Sequence, residues 1–160
     1  MTLPPFKLER YFAKYEFHAE YLLCSSDCEA MSIADLLAFE PDAAEKFQQV
    51  WLGYTESQGS PAFRTEICKL YETIQPEQVL VHTGTGEAIY LFMHAMLKEN
   101  DHVIVHTPNY QSLAEVAKGI GCDVSPWTAR EENDWALDLD ELRGLLRPAT
   151  KAIVINTPHN

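Results

Sequence analysis

The chain is 160 residues long, 46% apolar and 22% charged, which suits one folded body with a respectable core and excludes a disordered or low-complexity protein. Its 24 acidic residues against 12 scattered basic ones give a formal net charge of −12, so a surface that grips nucleic-acid phosphates is not expected. No run approaches the ~18 apolar residues of a membrane span and the start MTLPPFKLERYF lacks a secretion-signal core, so the expectation is a cytoplasmic protein with no membrane partner.

Residues 1–23 mix rings with charges (Phe6, Tyr11, Phe12, Tyr15, Phe17, Tyr21) behind Pro4-Pro5, the pattern of an arm or short helix that needs outside contacts to bury its aromatics. A turn-like Cys24–Cys28 precedes a helical pattern over Met31–Phe39, which Ser32 or Asp27 can cap, and Asp42–Trp51 reads as a second short helix. Gly53–Pro61 is polar and carries an isolated tyrosine, Tyr54, before helical spacing resumes over Ala62–Tyr71. From the residues alone, Tyr54 is a ring covering a helix end. Cys24, Cys28, Cys68 and Cys122 form no CxxC pair and have no histidine at zinc spacing, so buried or half-buried free thiols are expected and no metal.

From Gln78 onward β-type runs alternate with helices. Strands are expected at Val79–Val81, His102–His106, Cys122–Trp127 and Lys151–Asn156, with helices from Glu87, Gln111 and Leu139. The near-continuous apolar runs Val103–Val105 and Ala152–Ile155 suit strands covered on both faces, hence a mainly parallel sheet in an α/β fold. The helix after Gly86 carries a wide apolar face of Ala88, Ile89, Phe92, Met93, Ala95 and Met96. The next presents Leu113, Val116 and Ala117 and stops at Gly119 and Gly121. A change of texture near residues 50–60 marks an expected boundary.

In a parallel sheet ligands bind beyond the strand C-termini, which directs attention to Thr83–Gly86, Thr107–Tyr110 and Asn156–Asn160. Gly84-Thr85-Gly86 ends a strand and opens a helix, where backbone N–H groups lack acceptors and the helix dipole favours an anion. Two readings stay open for it: a phosphate cradle, or a plain glycine turn between core elements. Tyr110 adds an aromatic face and Asn160 a carboxamide. A phosphate anchor, a ring and an amide together suit a phosphorylated aromatic cofactor.

With these pieces in order, the sequence from about Tyr54 to Asn160 resembles the class I/II aminotransferases, pyridoxal-phosphate enzymes of fold type I. Four pieces carry the likeness: Tyr54…Gly59…Phe63-Arg64…Ile67, VHTGTGEAI, DHVIVHTPNY, and INTPHN, which looks like the opening of the family's Asn-Pro-His-Asn-Pro-Thr-Gly signature. The resemblance implies part of a three-layer α/β/α large domain. Residues 1–50 would be an arm and part of a small domain, and residues 51–160 the N-terminal half of the pyridoxal-phosphate-binding domain. It implies that Gly84, Thr85 and Gly86 bind the cofactor phosphate, Tyr110 stacks on the pyridine ring, and Asn160 hydrogen-bonds the phenolic oxygen. Tyr54 would reach a phosphate across a homodimer interface, and Ser26 lies where relatives place a substrate-facing loop.

The same resemblance puts the Schiff-base lysine, the aspartate that pairs with the pyridine nitrogen and the carboxylate-clamping arginine downstream of Asn160. None of the seven lysines matches that lysine's context, so no catalytic residue is expected here. Amino-group transfer from an amino acid or amine to a 2-oxo acid is the implied reaction, with a lyase, racemase or decarboxylase on the same scaffold as the alternative. The family's first large-domain strand, here Gln78–Val81, is separated from the next three by strands that come later in sequence. These residues alone are therefore expected to expose apolar faces and strand edges and to aggregate. A dinucleotide-binding oxidoreductase domain fits less well: Ile89 occupies the place of the third fingerprint glycine, and His106-Thr107 rather than an acid end the next strand.

Overall fold

The computed structural model describes residues 3–24 and 28–158. By internal contacts the chain forms two compact units, residues 24–82 and residues 1–23 together with 83–160. This division differs from the expected 1–50/51–160 partition. The arm residues belong with the α/β body because the Gln111 side chain ties down the backbone of Pro5 and Lys7.

The 24–82 unit holds three short helices, α2 (Ile33–Leu37), α3 (Ala43–Gln48) and α4 (Pro61–Cys68), and a 3-10 turn at Pro76–Gln78. Ser32 caps α2, its hydroxyl accepting from Asp35 N–H, and the Asp35 carboxylate in turn accepts from Ser32. Arg64 pins the loops around α4, donating to Gly59 O at 3.0 Å and Pro76 O at 2.6 Å. Gly59 must be glycine: its φ is +103°, and a Cβ there would lie 2.5 Å from Val81 Cγ2. Val79–Val81 is extended but is not a strand. The Val81 N–H donates to Gln58 O at 2.9 Å instead of to a neighbouring strand, so the expected first strand of the sheet is corrected to a coil segment of this unit.

The other unit contains α1 (Lys7–Tyr15) and then α5 (Thr85–Met96), β1 (His102–Thr107), α6 (Ser112–Ile120), β2 (Asp123–Thr128), α7 (Leu139–Leu145) and β3 (Thr150–Val154). The three strands are parallel in the order β2-β1-β3. The two crossovers therefore run in opposite directions, and a right-handed connection must put their helices on opposite faces. α6 packs with Val103 and Val105, whereas Trp127, on the other face, donates from Nε1 to Asp138 O at the start of α7. Pro126, which has no N–H for a ladder bond, sits in the β2 edge strand. Gly121 closes α6 with φ +99°, while Gly119, also expected as a stop, remains inside the helix.

Burial follows neighbours more than composition. Val103, Ile104 and Val105 of central β1 are 0% exposed, and Leu113, Val116 and Ala117 of α6 are buried against Val103 and Val105 as expected. β3 is only half-covered, with Ile153 exposed and Ile155 exposed just beyond it, which corrects the expectation of burial on both faces. On α5 the packed row is Ile89, Met93 and Leu97, one residue per turn. Phe92 and Met96, expected on the packed face, are exposed, because the described strands offer α5 only a narrow seat.

Candidate functional site

At the start of α5, Gly84 is the N-cap with extended backbone and brings no side chain to cap the helix. The first helical bond runs from Ala88 N–H to Gly84 O at 3.1 Å, so the Thr85 and Gly86 N–H groups have no acceptor inside the helix. Glu87 reaches back and accepts from Thr83 N–H at 2.8 Å, holding the turn. A Cβ built on Gly84 or Gly86 would meet nothing within 4 Å. Neither packing nor a left-handed backbone requires glycine here, which leaves open space on the side a ligand would use.

β1 ends at Thr107, whose hydroxyl pairs with Thr128 at 3.0 Å, and Asn109 Nδ2 donates to His106 O at 2.9 Å, fixing the turn that carries Tyr110. Tyr110 O then accepts from Leu113 N–H at 2.9 Å as α6 begins. Thr85 and Ile89 of α5, Pro108–Tyr110, Leu113, and Ile155 and Asn156 after β3 line one cleft of about 670 Å³, with Leu8 of α1 as a further wall. That volume lies inside the ~300–1,000 Å³ range of small-molecule sites, and an apolar lining with a few polar groups is their usual chemistry. The cleft lies beyond the C-terminal ends of β1 and β3. Burial, reinforced by Glu9, holds the Tyr110 phenol above its ordinary value near 10, so the ring is neutral at working pH.

The opposite end of the strands is closed. His102 is 1% exposed, with Nδ1 2.7 Å from Thr150 Oγ1 and Nε2 2.9 Å from Ser125 Oγ. Ser125 Oγ accepts from Arg147 at 3.1 Å, and Thr150 Oγ1 accepts from Arg147 N–H at 2.8 Å. Each hydroxyl can still donate its own hydrogen or accept a second bond, so the two together satisfy both ring nitrogens of a neutral imidazole. Desolvation lowers its pKa, Arg147 adds to the depression, and Asp123, itself paired with Arg147, opposes it.

Residues 21–160 match the family Aminotransferase class I and II. The chain belongs to that family. It is 31% identical to a capreomycidine synthase of Streptomyces vinaceus over 161 residues, covering 99% of this chain and 41% of that protein. Among solved structures it is similar to a pyridoxal-phosphate-dependent aminotransferase from Streptococcus suis, with a TM-score of 0.91, 35% identity and coverage of 100% of this chain and 44% of that one. It is also similar to the pyridoxal-phosphate-dependent cyclase OrfR, with a TM-score of 0.86, 31% identity, and coverage of 100% and 42%. The chain thus spans less than half the length of these relatives. The three parallel strands with helices on both faces belong to the fold type I α/β domain, and pyridoxal 5′-phosphate is the cofactor the family implies.

Of the residues named from sequence, Thr85 and Tyr110 come together at the cleft, with Gly84 and Gly86 flanking Thr85. Tyr54 belongs to the 24–82 unit, where it is fully exposed. Asn160 and Ser26 lie outside the described residues. The donor set fits the phosphorylated ring: open amides at a helix start, a neutral aromatic side chain and a carboxamide at one mouth. Sequence reasoning missed Asn156 and Leu8. Asn156 was within a strand end already singled out, and the aromatic arm pattern was the signal for residues near Leu8. Among the described residues no helix is long and apolar enough to cross a membrane.

Proposed function

We propose that these residues form the cofactor-binding part of a pyridoxal-phosphate-dependent aminotransferase that moves an amino group from an amino acid or amine to a 2-oxo acid. The observation that carries the reading is the convergence of Thr85, Tyr110 and Asn156 on one cleft beyond the C-termini of parallel strands. The Thr85 hydroxyl and the N–H groups of Thr85 and Gly86 hold the phosphate, with Gly84 keeping the approach clear. Tyr110 offers its uncharged ring for stacking, and the apolar walls Ile89, Leu113 and Ile155 exclude water from the ring's edge. When bound, pyridoxal phosphate supplies an electron sink that makes bonds at the substrate's Cα labile. Asn160 toward the phenolic oxygen, Tyr54 across a homodimer interface, Ser26 toward substrate, and the 51–160 boundary of the large domain complete the proposal, as does a cytoplasmic setting.

A second reading, a cyclisation or other non-transfer reaction on the same cofactor, is favoured by the cyclase likeness, which spans the whole chain just as the aminotransferase one does. The cradle residues serve both. Titration with pyridoxal phosphate, followed by absorbance, is expected to show saturable binding that Thr85→Ala weakens. Borohydride is expected to fix none of it to the seven lysines of these residues; a reduced adduct on one of them would overturn the assignment of the Schiff base downstream. In an active full-length protein, stoichiometric consumption of a 2-oxo acid separates transfer from cyclisation.

A further inference from the structure

The Phe6 ring stands against Tyr110 with centroids 4.9 Å apart and planes at 88°, the edge-to-face geometry aromatic pairs prefer. The segment that delivers Phe6 is fastened on both sides by a single side chain. Gln111 Nε2 donates to Pro5 O at 3.1 Å, and Gln111 Oε1 accepts from Lys7 N–H at 3.0 Å. Gln111 follows Tyr110 directly and is the N-cap of α6, yet it makes no capping bond to that helix. Its carboxamide is used on the arm instead, pairing with the backbone on either side of Phe6 as a neighbouring strand would. Two residues further on, Leu8 lines the cleft beside Tyr110, and the Glu9 carboxylate lies near enough to act on the phenol.

We propose that residues 5–8 are a working part of the cofactor site, in which Phe6 is a positioning residue that sets the plane of the Tyr110 ring and Gln111 is the clip that holds Phe6 there. The inference rests on the reading that Tyr110 stacks on the cofactor. A tyrosine at a cleft mouth rotates about two side-chain bonds, and a ligand that stacks on it must fix that rotation. The perpendicular contact with Phe6 fixes it in advance, so binding loses less conformational freedom. Burying the rings of the arm needs neither the clip nor the adjacency of Leu8 to the cleft.

The test uses the full chain titrated with pyridoxal phosphate, read by absorbance for affinity and by the induced circular dichroism of the bound cofactor for ring geometry. Phe6→Ala and Gln111→Ala are each expected to weaken binding by about two- to tenfold and to change the dichroic band, and Phe6→Tyr is expected to restore both. Gln111→Ala keeps the test sound should Phe6→Ala fold poorly, since it removes only the clip. If Tyr110→Ala weakens binding while Phe6→Ala and Gln111→Ala lower the melting temperature and leave affinity and dichroism unchanged, the arm is structural and the proposal is overturned. If Tyr110→Ala itself leaves affinity unchanged, the stacking role is what fails, and the inference falls with it.

Discussion

The two ends of the sheet are built from the same three strands and resolve their polar groups in opposite ways. At the N-terminal end a histidine, two hydroxyl residues and an arginine satisfy one another, and His102 is sealed inside. At the C-terminal end Thr85, Tyr110 and Asn156 face a cleft, and the helix opening beside them keeps amides without helical acceptors. A closed network holds strands together and has nothing left to offer a ligand; an open set of donors is the reverse. Polar residues at strand ends therefore signal a site only where the structure leaves their bonding unspent.

Removing the closed end should damage stability alone, and by the largest margin. His102→Ala leaves a cavity and strips partners from Ser125 and Thr150, and the expected loss is about 2–4 kcal/mol by urea unfolding. Pyridoxal phosphate affinity, measured well below the variant's unfolding midpoint, should stay within twofold of the parent. An affinity loss matching Tyr110→Ala would break the contrast between the ends.

The open end should show the converse. Tyr110→Ala removes the stacking surface and is expected to weaken cofactor binding by about ten- to a hundredfold while costing about 1–2 kcal/mol of stability, less than His102→Ala. Tyr110→Phe should keep most of the affinity because the ring, not the hydroxyl, makes the contact, and because the phenol is neutral at working pH in any case. Equal losses in both variants, seen in the same titration, would shift the role to the hydroxyl.

Acid provides a gentler way to separate the ends. His102 has a folded-state pKa below its ordinary value of 6.5, so the unfolded chain takes up the proton first. Its contribution to stability is full above about pH 6.5 and is lost as the pH falls through the lowered folded-state value. Charging it would bury a cation in the sheet and set it near the Arg147 guanidinium, which shares Ser125 with it. Melts at pH 8 and pH 5 should therefore differ more for the parent than for His102→Gln, which keeps hydrogen bonds and does not titrate. Identical pH dependence in the two would remove His102 as the cause.

What the sequence made legible was local in origin. The apolar run Val103–Val105 and the Leu113, Val116, Ala117 spacing each carry their own burial signal, and both elements formed as expected. Val79–Val81 has equally good strand composition but, among the described residues, no strand beside it to accept its bonds, and Ile153 has a strand's sequence but too little above it. Pairing and cover are supplied from elsewhere in the chain, so composition cannot report them. The site divides along the same line: Thr85 and Tyr110 sit in readable turns, whereas Leu8 and Phe6 arrive from about a hundred residues away through the Gln111 bonds.

The smallest expected effect is the most diagnostic for the open end, because it should run in opposite directions for folding and for binding. Gly84 is extended and Gly86 lies in the first turn of α5, and a methyl group on either would contact no protein atom within 4 Å. Alanine at these positions restricts the unfolded chain and, at residue 86, favours the helix, so each substitution should leave stability unchanged or raise it by about 0.5–1 kcal/mol. Folding alone therefore does not require glycine at either position. If the space beside them is where a phosphate approaches the backbone, the added methyl intrudes on the ligand, and cofactor affinity should fall about two- to fivefold even as the melting temperature holds or rises. Alanine variants that bind as well as the parent would return Gly84-Thr85-Gly86 to a plain turn between core elements.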